Sequence, residues 1–249
     1  MAAGVWVLSV FFVFVIPTLF VIPYLAARGV SFTDREELQT FVFTDQTAVI
    51  LQLAPILLAH LFTLVIAWMV VTRLNTYSFR TTLGWEWNGF KIWHAVAIFV
   101  VFDIFASVLV KILGKVETDF DRMLLSSRSA VYLVAVIATF TAPLTEEVVY
   151  RGLLYSALQR RWGIVIAALL ATILFTAVHI PQYSSESSPD YATLIVVLGL
   201  SMVLTLIRIK TRNLLPCILF HTLFNGFQSI LSILEPYLSK LFPFFCYLK

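Results

Sequence analysis

The chain has 249 residues, of which 60% are hydrophobic and only 12% charged, with mean hydropathy +0.93. A soluble domain carries about a quarter charged residues, so a water-soluble globule is excluded and the bulk of the chain must face something other than water. The net charge of +3 comes without a basic tract to meet phosphates, and no nucleic-acid partner is implied.

Apolar runs of roughly 17–25 residues, each matching the hydrocarbon layer of a bilayer, recur along the sequence. They predict an all-α polytopic membrane bundle with seven spans at 5–27, 47–71, 93–112, 130–159, 163–179, 191–207 and 214–234. The whole of 1–249 reads as one integral membrane domain, with a motif-bearing core at about 130–234. The first 27 residues are uncharged apart from the amino terminus, so the basic start of a cleavable signal is missing. They are read as a retained span, bent near Pro17 and Pro23.

The connection "TYSFRTTLGWEWNGFKIW" (76–93) mixes aromatics with Arg80, Glu86 and Lys91, as an interfacial turn does. "SSESSPD" (184–190) reads as an aqueous loop and "RIKTRN" (208–213) as a short basic one. The tail "YLSKLFPFFCYLK" is short and Pro-broken for an eighth span, and is expected to lie in the interface or re-enter. Lysines and arginines divide equally between the two sides, so the positive-inside rule gives no orientation. Cys217 and Cys246 lie in apolar surroundings without metal-ligand spacing.

Charge inside the spans needs an explanation, because an ionised group at mid-bilayer is disfavoured by about 2.5–3.5 kcal/mol. In "TFTAPLTEEVVYRGLLYSALQRRWG" (139–163), Glu147 and Arg151 stand four apart on one helical face and can pair. Glu146 then points elsewhere as a spare carboxylate, and Pro143 loosens the helix just before it. The fifth span ends "ILFTAVHIPQY", with Phe175 and His179 four apart; the seventh holds "LLPCILFHTLFNGF", with His221 and Asn225 four apart. Each of these alone is explained by helix packing.

Their depths agree, however. Glu146 lies 15 residues before Arg161 and His179 lies 18 after it, comparable heights on antiparallel neighbours. A water in such a pocket would find a base in Glu146, and N–H groups of histidine and asparagine could stabilise an oxyanion. Asp103, mid-way through the third span, reads equally as a packing partner or a proton-relay group. His60 and His94 have no companion motif and are taken as structural. "GLSM" around Ser201 lacks the second glycine of the rhomboid-type GxSG, and HExxH is missing.

"EEVVYR", "FTAVH" and "HTLFN" read as EExxxR, FxxxH and HxxxN in that order. The ordered set resembles the CPBP intramembrane proteases, which include the type II CAAX prenyl endopeptidases. The likeness covers about residues 140–230, plus the upstream "LGW" turn. It implies an intramembrane endopeptidase cutting a peptide or protein near the bilayer surface, with C-terminal processing of prenylated CAAX-type proteins as one substrate class. By the same resemblance Glu146 activates water, His179 assists, and His221 and Asn225 hold the oxyanion. Glu147, Arg151 and Phe175 support them, and Tyr150 replaces the phenylalanine usual before the arginine.

Zinc held by Glu146, His179 and His221 is the alternative chemistry. The neutral Asn225, and the absence of a free carboxylate to orient both histidines once Glu147 pairs with Arg151, favour a reaction without a cofactor. Two other classes compete: a bacteriocin-immunity or partner-binding protein of the same fold, and a proton- or ion-coupled transporter using Asp103, Glu146 and His179. The transporter reading lacks Gly-rich broken helices in matched halves.

Overall fold

The computed structural model describes residues 1–185 and 188–241. Among these residues there is no strand, only an isolated bridge between Ser184 and Pro189. Helix α1 (Ala2–Ala27) runs unbroken through Pro17 and Pro23, as membrane helices tolerate. Trp6 on α1 donates its indole N–H to the Tyr150 hydroxyl at 3.0 Å. The second pass is a pair, α3 (Gln46–Leu53) and α4 (Ile56–Thr72), and α4 packs along α1. After the short α5 (Phe79–Leu83), α6 (Ile92–Leu113) turns Val101, Ile104 and Ile112 outward, where lipid covers them.

Two short helices escaped the sequence reading: α2 (Arg35–Thr44) and α7 (Asp119–Ser126), which pack against each other. Both begin with side-chain caps. Asp34 accepts from the Glu37 N–H at 3.0 Å, while Thr118 and Asp121 form a reciprocal capping box. About two turns of amphipathic pattern are too few to stand out between long apolar runs.

The motif region is one continuous path: α8 (Arg128–Val136), the π-helical turn π1 (Ile137–Thr141), α9 (Ala142–Glu147), a second π-helical stretch π2 (Val148–Leu154), and α10 (Tyr155–His179). It is 52 residues long, about twice a bilayer crossing. Gly163 breaks it, with φ 80° and ψ 174°, a conformation open to glycine and not to a helix. The chain doubles back there. The Arg151 guanidinium lies 4.7 Å from the Phe175 ring, whereas 24 residues of straight helix would separate them by about 36 Å. Among the described residues six helices are long and apolar enough to cross a membrane, and this hairpin makes seven passes of them. The protein is an integral, multi-pass membrane protein.

Helix α11 (Tyr191–Thr211) extends beyond the expected 207, so Arg208 and Lys210 belong to its last turn and not to a basic loop. Arg208 is buried and donates to the carbonyls of Leu83 and Arg212, both at 2.9 Å. The "LGW" turn is thereby docked on the α11–α12 junction. Asn88 Nδ2 donates to the Thr211 carbonyl at 2.9 Å, and the Leu214 N–H donates to the Gly84 carbonyl at 2.7 Å. Gly84 has φ +72°, and a Cβ there would stand 2.8 Å from Asn213 Oδ1 and 2.9 Å from the Arg212 carbonyl.

Helix α12 (Leu215–Leu241) continues past the expected end at 234, so the first residues of the tail prolong it and do not re-enter. The rest of that tail, with Cys246, lies outside the described residues, as do 186 and 187 of the "SSESSPD" loop.

Candidate active site

Pro143 shapes the site from below. It has no N–H, and its ring would meet the carbonyl four residues earlier in a regular helix. The chain widens just before it into π1, where the Ala142 N–H bonds the Ile137 carbonyl five residues back. In that register the Ala138 carbonyl would pair with the nitrogen of residue 143, which carries no hydrogen. Asn225 on α12 fills the gap: its Nδ2 donates to the Ala138 carbonyl at 2.9 Å. One amide hydrogen of Asn225 is therefore structural, and the other has no protein acceptor among the described residues.

Behind the site sits a buried chain of charge. Glu147 and Arg151 are fully buried, and Arg151 Nη1 donates to Glu147 Oε1 at 2.9 Å. Arg151 Nη2 donates to the carbonyl and hydroxyl of Ser201 on α11, at 2.8 and 2.7 Å. Glu147 Oε1 also accepts from His221 Nδ1 at 2.9 Å. Because a carboxylate only accepts, this bond places the His221 proton on Nδ1. In the neutral ring Nε2 is then an acceptor, 3.7 Å from Glu146 Oε2. His221 donates to an oxyanion through Nε2 only as the imidazolium.

The expectation that Glu147 is consumed by Arg151 alone does not hold, because Glu147 also orients His221. With it falls one of the two reasons given for a reaction without zinc. The other histidine is fixed by backbone: His179 Nδ1 bonds the Phe175 carbonyl at 2.7 Å, and its ring lies 4.6 Å from the Phe175 ring.

Glu146, Phe175, His179, His221 and Asn225 all line one cavity of about 700 Å³. The Glu146 side chain is 22% exposed in its wall, whereas Glu147 and Arg151 lie outside the lining. Apolar residues of α1, among them Val10, Val13, Phe14 and Val21, form one flank, and Phe120, Met123 and Leu124 of α7 another. Asp103 stands apart: it accepts from Gln228 Nε2 at 3.2 Å, tying α6 to α12, and is not in the lining. His94 caps α6, accepting the Lys91 N–H at 2.9 Å.

Two residues were undervalued in the sequence. Ser201, set aside for its incomplete motif, is the fully buried partner of Arg151. His60, taken as structural, lines the same cavity as Glu146. An ionisable residue in the middle of a span was the available signal for His60.

Among the described residues no three His, Cys, Asp or Glu side chains converge in a metal-holding group. The bonds at His221 Nδ1 and His179 Nδ1 leave Nε2 free on both rings and do not themselves bar a metal; what is missing is convergence. As arranged, the residues do not fit a zinc site, and no step is derived through one.

The fold and the site together define an all-helical membrane bundle with a carboxylate–imidazole cavity between its motif-bearing helices. Residues 128–227 match the family described as Type II CAAX prenyl endopeptidase Rce1-like. The chain is also similar to "Putative membrane peptidase YdiL" of Bacillus subtilis (strain 168), 22% identical over 120 residues. That alignment takes in 48% of this chain and 45% of the relative, so the match spans less than half of that protein. The likeness to the Rce1-like family is confined to the motif-bearing part of the chain, residues 128–227. No solved structure matches it significantly.

Proposed function

We propose that the protein is an intramembrane endopeptidase in which Glu146 activates a water in the cavity. One observation carries this reading: of the two adjacent carboxylates, Glu147 is sealed against Arg151 and His221, while Glu146 opens to the cavity. Glu146 takes a proton from water as the oxygen attacks the carbonyl carbon of the scissile bond. The charge that develops on the carbonyl oxygen is met by the second Asn225 N–H and by Nε2–H of protonated His221. As the carbon–nitrogen bond breaks, the proton held on Glu146 passes to the leaving amine, assisted by His179.

The substrate class is a peptide segment entering from the bilayer. The apolar flank contributed by α1 suits an apolar or lipid-modified chain beside it, so prenylated C-terminal peptides belong in the test. Purified protein in detergent is incubated with paired prenylated and unmodified C-terminal peptides, and products are read by mass spectrometry. Cleavage at a defined bond, absent with Glu146→Gln, is the expected result. Absence of cleavage across the panel, with a partner protein retained instead, would favour the partner-binding reading.

A further inference from the structure

Helix α4 carries a histidine that the mechanism above does not use. His60 is 6% exposed within an apolar pass, and burying it there is unfavourable unless it bonds something. It does: His60 Nδ1 lies 2.9 Å from Thr141 Oγ1. Thr141 is the last residue of π1, immediately before the helix that carries Glu146. Its hydroxyl also lies 3.3 Å from the Ile137 carbonyl, which can only accept. A hydroxyl both donates and accepts, so the two side chains are hydrogen-bonded whichever of them supplies the hydrogen.

The opening turn of the elbow is thus held from two sides. Asn225 of α12 grips the Ala138 carbonyl, and His60 of α4 grips Thr141. A π turn is a local departure from the α register, and these two bonds from neighbouring helices hold this one where the next residues set out. His60 also lines the cavity that Glu146 faces.

We propose that His60 is a positioning residue for Glu146: through its bond to Thr141 it fixes the π turn that aims the Glu146 carboxylate at the attacking water. The proposal rests on the endopeptidase reading for its kinetic test and on geometry alone for a second one.

The variants are chosen to separate the two ring nitrogens. In His60→Asn the side-chain amide stands near the place of Nδ1 and, having both a donor and an acceptor, still bonds Thr141. In His60→Gln the amide is carried further out, toward the place of Nε2, and the Thr141 bond is lost. Thr141→Val removes the same bond from the other end with little change of shape.

For the kinetic arm, His60→Gln and Thr141→Val are expected to lower kcat about 10–100-fold with KM within about twofold, as misplacement by an ångström does. His60→Asn is expected to keep most of kcat, and His60→Gln/Thr141→Val to be no worse than either single change. For the other arm, labelling of Glu146 by a carbodiimide and an amine is followed by mass spectrometry in detergent. Its rate should change in His60→Gln and Thr141→Val alike and stay at the wild-type value in His60→Asn.

His60→Asn losing as much activity as His60→Gln, or an unaltered kcat and labelling rate in Thr141→Val, would overturn the proposal. If no peptide is ever cleaved but the labelling pattern holds, the positioning role stands and the endopeptidase reading falls. If cleavage occurs and the pattern fails, the reverse is concluded.

Discussion

Replacing Arg151 by methionine keeps much of the side chain's volume and removes its charge, so it isolates what the guanidinium does. In the native site Arg151 neutralises Glu147 and ties it to Ser201, all of it sealed from solvent. Without it, the Glu147 carboxylate would keep only the His221 N–H. Losing one partner of a buried ion pair costs about 3–5 kcal/mol, since the survivor is left charged and uncompensated. The Ser201 end adds little, because its carbonyl also accepts from the Thr205 hydroxyl at 2.8 Å. At about 2–4 °C per kcal/mol for a chain of this size, the midpoint should fall roughly 6–20 °C. Thermal unfolding in detergent, followed by intrinsic tryptophan fluorescence, measures it. Adding Glu147→Gln to Arg151→Met should recover more than half of the loss, because the amide oxygen still accepts from His221 and no charge remains to compensate. A midpoint within about 2 °C of wild type for Arg151→Met, or a double variant no better than the single, would refute the argument that Arg151 compensates Glu147.

Other outcomes follow from the same geometry. Glu146→Gln should lower cleavage about 10²–10⁴-fold while leaving the melting midpoint nearly unchanged, because its carboxylate is open to the cavity and not part of the buried pair. Cleavage should survive exhaustive chelation, and metal analysis should find no stoichiometric zinc; one tightly held zinc per chain, lost together with activity, would require a metalloprotease mechanism. Tyr150→Phe deletes the acceptor of the Trp6 N–H and should destabilise the packing of α1 by about 1 kcal/mol, read as a small fall in midpoint. At Asp121 burial pushes the carboxyl up, but the Lys115 ammonium at 2.8 Å and hydrogen bonds from the Thr118 backbone and hydroxyl outweigh it and hold it below the usual range. A depressed folded value stabilises above the unfolded one, about 3.9, and that stability is lost as pH falls through the folded one. Hydrogen exchange in α7, corrected for intrinsic rates, should therefore speed up below about pH 4 in the native protein and be insensitive to pH in Asp121→Asn.

The passes were legible because each is a long apolar run, and their number holds once Gly163 is recognised as a reversal. The pairing of Glu147 with Arg151, and the meeting of Glu146, His179, His221 and Asn225 at one cavity, followed from four-residue spacing and matched depth. Three things could not be read that way. The share of Glu147 between Arg151 and His221 depends on how α12 crosses the motif helix, which no local spacing encodes. The π1 turn arises where Pro143 removes a hydrogen-bond donor, and a 3.6-residue wheel drawn through either π segment misplaces neighbours. His60 lacked a motif partner because its partner, Thr141, is 81 positions away on another helix.

The docking of the Gly84 turn gives the upstream passes a say in chemistry performed elsewhere. Helix α12 takes its starting point from that turn, whose carbonyl receives the Leu214 N–H, and His221 follows only about 10 Å further along the axis. The register of the histidine and asparagine against the carboxylates is therefore set by a residue well outside the stretch 128–227. Any side chain at Gly84 would press on Asn213 and lift the root of α12, moving His221 and Asn225 together as one rigid lever. A fragment trimmed to the matched stretch would retain every motif and lose the abutment against which its last helix is seated.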